Sequence, residues 1–174
     1  MKLYLVRHGE TDWNLEHRAQ GQVDIPLNAT GIRQAEELKE KIKSYTFDIC
    51  YCSPLKRAVQ TAKIITDGHT KIIYDDNLKE RSFGYLEGVI VNSDGFNEAP
   101  NTKKGGIEPI QEVFARSKQV LDRIKAENPP EAKVLVVAHG VLLKTMHFNI
   151  VGYDSNTDLH SFHFKNGDIF EYDI

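Results

Sequence analysis

Four groups of ionisable side chains stand where predicted β-strands end. Each predicted strand is a short apolar run, and histidine, arginine or glutamate follows shortly after it. In an open α/β sheet the carboxyl ends of the parallel strands share one rim, and ligands bind there. We therefore expect these groups to face one another. In chain order they are Arg7-His8, Arg57, Glu80-Arg81 and His139-Gly140.

This combination is suited to binding an anion and transferring a phosphoryl group. Forked arginine donors match phosphate oxygens, and helix N-termini follow two of the strand ends. Carboxylates are scarce at this rim, and no glycine-rich loop ends in Lys-Ser/Thr, so we predict no metal site. Phosphoryl transfer without a metal needs cationic side chains and a nucleophile. Ser53 precedes Pro54 and is predicted to cap a helix, which leaves a neutral histidine as the candidate nucleophile.

Alternating strand and helix patterns predict an α/β fold, a three-layer α/β/α sandwich with a mostly parallel central sheet. Val134–Ala138 is an unbroken apolar run, typical of a central strand covered on both faces. Thr30 is predicted to cap the first long helix. The runs Ser161–Phe164 and Ile169–Tyr172, joined through Asn166-Gly167, are predicted to form a hairpin at an antiparallel edge.

Composition excludes several classes of partner. The chain has 174 residues, with 22 Lys and Arg against 25 Asp and Glu, so its net charge of −3 provides no global basic field for nucleic acid or anionic membranes. No run approaches the roughly 18 apolar residues of a membrane span, and the apolar run near the N-terminus is too short for a signal peptide. We predict a cytoplasmic protein in which Cys50 and Cys52 are reduced and packed.

Four blocks of sequence resemble the signature of the histidine phosphatase superfamily, the phosphoglycerate-mutase-like proteins. A lone Arg-His-Gly would be only suggestive, but these blocks follow one another in the family's order and cover residues 1–88 and about 106–150. The blocks are Arg7-His8-Gly9-Glu10-Thr11 with Trp13-Asn14, Gln20-Gly21 and Gly31-x-x-Gln34-Ala35; Ser53-Pro54-Leu55-x-Arg57-Ala58-x-Gln60-Thr61-Ala62; Leu78-x-Glu80-Arg81-x-Phe83-Gly84-x-x-Glu87-Gly88; and Val137-Ala138-His139-Gly140.

The resemblance implies a role for each matching position. His8 would be the nucleophile that becomes phosphohistidine, and Glu80 would protonate the leaving oxygen and then activate water. Arg7, Arg57 and His139 would hold the transferring phosphoryl group. The further binding residues that we predict are Asn14, Gln20, Gly21, Arg81 and Gly140. For Arg81 the sequence leaves two interpretations open, contact with substrate or pairing with an acid.

Departures from the family pattern favour a phosphatase over a mutase. Ser82-Phe83 stands where mutase-like sequences carry His-Tyr, and the stretch between Glu80 and His139 is short. A short cover should let water reach a phosphohistidine, so that hydrolysis competes with return of the phosphoryl group. Two alternatives stay open: a cofactor-dependent phosphoglycerate mutase, and a regulatory protein that binds phosphate esters without turnover.

The sequence says less about substrate specificity and oligomeric state than about the site residues. We predict a single domain over residues 1–174 with a variable lid segment at 89–107, a small phosphorylated substrate, and no cofactor, nucleic-acid or membrane partner. Oligomeric state is not predicted, although an edge strand would allow a homodimer. The histidines outside the four blocks are predicted to be structural or solvated: His17, His69, His147, His160 and His163.

Overall fold

The computed structural model describes residues 1–91 and 104–174 and shows one five-stranded sheet in the order β3-β2-β4-β1-β5. Four strands are parallel, and β5 runs antiparallel to β1 at one edge. The predicted mostly parallel sheet with an antiparallel edge strand is thus confirmed. The strands are β1 (Lys2–Arg7), β2 (Ile49–Cys52), β3 (Ile72–Tyr74), β4 (Lys133–Ala138) and β5 (Ile169–Asp173).

Helices cover both faces of the sheet, as the three-layer prediction requires. Side chains alternate along each strand, so Tyr4 and Val6 pack with the helices on one face while Leu3 and Leu5 pack with those on the other. The helices are α1 (Asp12–Leu15), α2 (Ala29–Lys41), α3 (Lys56–Thr66), α4 (Ile110–Glu127) and α5 (Gly140–Val151), with short 3-10 segments at Asp76–Leu78, Gly84–Leu86 and Lys104–Gly106. The first layer holds α2 and α3, and the opposite layer holds α4 and α5.

The predicted C-terminal hairpin is wrong. Only its second half is a strand, β5, while Ser161–Phe164 forms no strand. The Phe162 and Phe164 rings nevertheless pack against Phe170 of β5. The backbone carbonyl of Phe164 is also used elsewhere, since it accepts a hydrogen bond from the Arg7 side chain. This segment therefore crosses the carboxyl end of β1 instead of extending the sheet.

The cap of α2 is not the predicted residue. Asn28, and not Thr30, caps α2, because its side-chain oxygen accepts from the Gly31 N–H at 2.8 Å.

Within the predicted lid, residues 92–103 lie outside the described residues, and the single-domain organisation stays a prediction. No helix in the two described stretches is both long and apolar enough to cross a membrane.

The loop after β1 is held tightly against the start of α2. Gly9 and Gly31 approach backbone to backbone, and a Cβ atom at position 31 would clash with the carbonyl oxygen of Glu10. One turn further along α2, the Gln34 side chain accepts a hydrogen bond from the Glu10 N–H at 2.8 Å. The spacing of Gly31 and Gln34 in the first sequence block thus fixes the loop that carries His8.

We expect Gly31→Ala to lower the free energy of unfolding by about 1–3 kcal/mol, the usual cost of forcing extra atoms into a packed contact. Alanine gains at most about 1 kcal/mol in helix propensity over glycine, which works against this loss. Urea unfolding measures the change. Thr30→Ala, on the same turn, is the control and should change stability by less than about 0.5 kcal/mol. Equal effects of the two substitutions would contradict the close-contact explanation.

Candidate active site

The carboxyl ends of the strands surround a cavity of about 790 Å³. The register of the sheet places Arg7 beside Ala138, so His8 and His139 leave neighbouring strands side by side. Their ring centroids are 5.1 Å apart. Eight of the predicted site residues line the cavity: Arg7, His8, Asn14, Gln20, Gly21, Arg57, Glu80 and Gly140.

His8 is a buried imidazole, 2% exposed, whose tautomer is fixed by a hydrogen bond. Its Nδ1 lies 2.6 Å from the carbonyl oxygen of Gly9, and a carbonyl only accepts, so Nδ1 carries the proton. Burial, and then the charges of Arg57 and Arg7, hold the pKa of His8 well below its usual value. The ring is therefore neutral, with its free lone pair on Nε2.

His139 is fully buried behind His8 and is held on both nitrogens. Its Nε2 donates to the Ser53 hydroxyl at 2.7 Å, and its Nδ1 accepts from Arg57 Nε at 3.2 Å. Burial and the neighbouring Arg57 charge hold its pKa well below the usual value as well. The prediction that Ser53 caps the helix is wrong, because the N-cap residue of α3 is Leu55 and no side-chain cap hydrogen bond is present there. The Ser53 hydroxyl instead accepts from the Leu55 N–H at 3.3 Å and helps to orient His139.

Arg57 is oriented by three fixed acceptors. Besides His139, its Nη1 donates to the Val23 carbonyl at 2.8 Å and its Nη2 to the Gly21 carbonyl at 2.7 Å. Burial lowers the pKa of Arg57 to about 10, which still leaves it charged at neutral pH. The sharp turn at Gly21 and the start of α3 thus aim one guanidinium group at the cavity.

Arg7 supplies a second guanidinium group that has an unsatisfied donor. Nη1 donates to the Phe164 carbonyl at 2.5 Å, while the buried Nε has no hydrogen-bond partner among the residues that the structure describes. The start of α5 lies close beside it, since a Cβ atom at position 140 would lie 3.4 Å from the Arg7 Cζ, within van der Waals contact. Burial lowers the pKa of Arg7 against the opposing pull of Glu80. A buried N–H without a partner is costly, so this site favours an anionic acceptor.

Glu80 is a buried carboxylate at the N-terminus of α5. Its Oε1 accepts from the Arg81 and Leu142 N–H groups at 2.9 and 3.1 Å, and its Oε2 accepts from the Val141 N–H at 3.1 Å. Carboxylates are stabilised at helix N-termini by such free donors. The side chain is therefore fixed at the edge of the cavity rather than on the surface.

Asn14 points its amide nitrogen toward the cavity because its oxygen is already used. Oδ1 accepts from the Thr11 N–H at 3.1 Å and from Asn166 Nδ2 at 3.3 Å. Thr11 Oγ1 in turn donates to Gln20 Oε1 at 2.9 Å, which orients the Gln20 amide in the same way. Both side chains can then offer N–H groups to an anion.

Two predicted site residues do not line the cavity. His139 lies behind His8 and does not line the cavity itself. It contacts two residues that do, because it accepts a hydrogen bond from Arg57 and lies beside the His8 ring. Arg81 points away, since its Nε donates to the Glu108 carbonyl at 2.7 Å and its guanidinium lies over the Phe83 ring. Of the two interpretations left open for Arg81, the geometry favours contacts within the protein, and its role toward substrate stays a prediction.

Sequence reasoning missed several residues that line the same cavity. They include Lys144, Asn166 and three histidines assigned to structural or solvated roles: His17, His160 and His163. One signal was available, because Lys144 follows Gly140 by one helical turn and so shares its face of α5. The C-terminal segment offered no such periodic pattern.

The described residues contain no group of three or more His, Cys, Asp and Glu side chains arranged to hold a metal ion. The arrangement instead offers a neutral imidazole lone pair, two guanidinium groups, amide donors and one carboxylate. These are the groups needed to bind a phosphoryl dianion, attack it and exchange protons.

Known proteins share both the sequence and the fold. Residues 3–174 match the family described as the histidine phosphatase superfamily (branch 1). PhoE of Bacillus subtilis (strain 168), an uncharacterized phosphatase, is 42% identical over 151 residues, which are 86% of this chain and 77% of PhoE. GpmB of Enterobacter sp. (strain 638), named a probable phosphoglycerate mutase, is 37% identical over 164 residues, 87% of this chain and 75% of GpmB.

A solved structure extends the likeness to nearly the whole chain. Phosphoserine phosphatase from Entamoeba histolytica, in complex with 3-phosphoglyceric acid, superposes with a TM-score of 0.80 at 32% identity. The match covers 98% of this chain and 89% of that protein.

The buried imidazoles predict a loss of stability in acid. In the unfolded chain a histidine has its ordinary pKa of about 6.5, so below that pH the unfolded state binds more protons than the folded state. The stability that depends on neutral His8 is therefore full above about pH 6.5 and is lost as the pH falls. Between about pH 6 and 5, the free energy of unfolding should fall more steeply for the wild type than for His8→Asn, by about 1.4 kcal/mol per pH unit. Urea unfolding at several pH values tests this, and parallel pH curves would contradict it.

Proposed function

The chain belongs to the histidine phosphatase superfamily, and from that premise we propose that it hydrolyses a small phosphomonoester, without a metal ion, through a phosphohistidine on His8. The observation that carries the proposal is the lone pair on His8 Nε2, since Nδ1 is tied to the Gly9 carbonyl and the ring is neutral. It stands in a cavity with the Arg7 and Arg57 guanidinium groups, and one buried Arg7 N–H lacks a partner among the described residues.

In the first step the His8 Nε2 lone pair attacks phosphorus. An N–P bond forms while the bond between phosphorus and the ester oxygen breaks. That oxygen takes the proton of the Glu80 carboxylic acid and leaves as an alcohol, so Glu80 becomes a carboxylate. Arg7 and Arg57 stabilise the charge on the equatorial phosphoryl oxygens.

In the second step water completes the hydrolysis. The Glu80 carboxylate takes a proton from water while the water oxygen attacks phosphorus. The P–N bond breaks, its electron pair returns to His8 Nε2, and inorganic phosphate is released with Glu80 protonated again. One carboxylate serves as acid and then base because the second step reverses the proton movement of the first.

A phosphoglycerate mutase is the second candidate, because a relative at 37% identity carries that name. It would differ only in the fate of the phosphohistidine, which would pass its phosphoryl group to a sugar acid instead of water. The short stretch between Glu80 and His139 supports hydrolysis, as does the likeness to a phosphoserine phosphatase.

We keep the cytoplasm as the predicted compartment, in line with the two free cysteines, Cys50 and Cys52.

The covalent intermediate is tested by rapid quench with a ³²P-labelled phosphomonoester. We expect acid-labile, alkali-stable label on His8 and at least a thousandfold loss of kcat in His8→Asn, as expected when a nucleophile is removed. Activity should survive EDTA. Near-normal turnover by His8→Asn, or full loss of activity in EDTA that added Mg²⁺ restores, would contradict the proposal. Supplying 3-phosphoglycerate with a bisphosphate primer tests the mutase, since only that enzyme would form 2-phosphoglycerate.

Glu80→Gln should affect poor leaving groups most, because only they need protonation. We expect kcat/KM to fall about 10²–10⁴-fold for an alkyl phosphate, the usual contribution of a general acid, and much less for 2,4-dinitrophenyl phosphate. With the activated ester, phosphohistidine should accumulate, since water then lacks its base. Equal losses for both substrates would show that Glu80 acts only by supporting the structure.

A further inference from the structure

Arg116 of α4 does not line the cavity, but it binds the backbone next to Glu80. Its Nε and Nη2 donate to the two carboxylate oxygens of Glu108 at 2.7 and 3.0 Å, which makes a bidentate ion pair. Its Nη1 donates to the carbonyl oxygens of Asn77 and Lys79 at 2.7 and 2.6 Å. The side chains of the ion pair are only 14% and 15% exposed, so the pair is largely withdrawn from water.

Glu108 reaches the other side of Glu80. Its Oε2 accepts from the Ser82 N–H at 3.1 Å, and its backbone N–H donates to the Ser82 carbonyl at 2.9 Å. Its own carbonyl oxygen accepts from Arg81 Nε at 2.7 Å. Lys79 directly precedes Glu80, and Ser82 follows it by two residues. The ion pair therefore holds the backbone on both sides of the carboxylate.

The position of the Glu80 carboxylate depends on the backbone between these two contacts. The Arg81 N–H belongs to that backbone, and Glu80 Oε1 accepts from it at 2.9 Å. At the other end of the same peptide, the Glu80 carbonyl accepts from Gln22 Nε2 at 3.0 Å. A rotation of this peptide would break both contacts, and a shift of the loop would draw the carboxylate away from the N-terminus of α5.

A general acid is sensitive to small errors in position. Proton transfer needs heavy atoms within about 2.6–3.2 Å, and a misplacement of about 1 Å can lower a rate about a hundredfold. Glu80 stands on a loop, between the 3-10 segments Asp76–Leu78 and Gly84–Leu86. Side chains on loops are held less precisely than those on helices unless the surrounding residues lock them. The ion pair fastens this loop to α4, a helix of 18 residues.

Stability alone is a weak explanation for an ion pair that is withdrawn from water. Removing two charges from water costs about as much as their attraction returns, and apolar residues of similar size often stabilise a protein equally well. Only the planar fork of an arginine binds a carboxylate and two carbonyl oxygens at once. The contribution specific to Arg116 is therefore the direction in which it holds the backbone.

We infer that Arg116 and Glu108 are positioning residues for the proton transfer by Glu80. They touch neither substrate nor the reacting atoms, and they act by holding the loop 79–83 so that the Glu80 carboxylate lies within reach of the leaving oxygen. The inference rests on the proposed function, because that proposal makes Glu80 the proton donor.

Two aryl esters with different leaving groups test the inference. Phenolate is a poor leaving group that needs a proton, whereas 2,4-dinitrophenolate leaves without one. In Arg116→Met, we expect kcat/KM for phenyl phosphate to fall about 10–100-fold, the effect of a misplaced general acid. For 2,4-dinitrophenyl phosphate the fall should not exceed about threefold. Equal losses for the two esters would overturn the inference, since a general loss of structure lowers both alike.

Combination with Glu80→Gln shows whether Arg116 acts through Glu80. Once the proton donor is gone, its position no longer matters, so adding Arg116→Met should lower kcat/KM for phenyl phosphate by no more than about twofold. A further loss of tenfold or more would show that Arg116 acts by another route and would overturn the inference.

Arg123→Met is the matched control, because Arg123 lies two turns further along α4 and pairs with Asp75, upstream of the loop 79–83. It should leave the ratio of the two kcat/KM values unchanged. Glu108→Gln keeps the shape of the side chain and replaces Arg116→Met if that variant does not fold. It should lower the same ratio at least threefold, and an unchanged ratio in Glu108→Gln would overturn the inference.

Failure of the proposed function gives a different pattern. Glu80→Gln alone would then lower kcat/KM equally for both esters, or the wild type would hydrolyse neither, and the inference would fall together with the proposal. If Glu80→Gln affects phenyl phosphate selectively while Arg116→Met and Glu108→Gln do not, the inference is rejected and the proposed function stands.

Discussion

The site depends on two buried imidazoles that stay neutral beside two buried guanidinium groups. Burial disfavours every charge in this space, and arginine does not give up its proton, so the histidines lose theirs. His8 then keeps a lone pair on Nε2, because the Gly9 carbonyl holds the proton on Nδ1. The same arrangement leaves one buried Arg7 N–H without a hydrogen-bond partner in the described part of the chain. The proposed reactivity of His8 toward phosphorus and the preference of the site for an anion therefore have one physical origin.

The sheet places the site residues side by side, and the spacing of residues within each sequence block is explained by the contacts that they make. Neighbouring β1 and β4 place the two imidazoles side by side through their register. Residues of the sequence blocks that do not touch the cavity hold the loop that does: Gln34 accepts from the Glu10 N–H, and Thr61 Oγ1 accepts from the Gly9 N–H at 3.1 Å. Backbone contact at Gly31 completes this support. His8, the proposed nucleophile, is thus positioned from both α2 and α3.

Sequence alone predicted the parts of the molecule whose signal is local. The run Val134–Ala138 was recognisable as a central strand because apolar residues covered on both faces leave no alternation, and the site residues at the strand ends followed from that topology. The segment Ser161–Phe164 was assigned wrongly because its alternating pattern suits a strand, while its carbonyl is in fact taken by Arg7. Lys144 was missed although it follows the predicted site residue Gly140 by one helical turn, because the sequence does not show how far the cavity extends along that face of α5. Such residues are defined by tertiary packing.

The Phe164 carbonyl links the position of Arg7 to the position of the segment that precedes β5. The short segment before β5 holds Arg7 through that carbonyl, and it also presents His160 and His163 to the cavity. An insertion or deletion there would move the Arg7 guanidinium group along with these two histidines. Diversification among relatives with this architecture should therefore proceed by exchanging side chains on a segment of fixed length, with larger rearrangements confined to parts of the chain that do not hold Arg7.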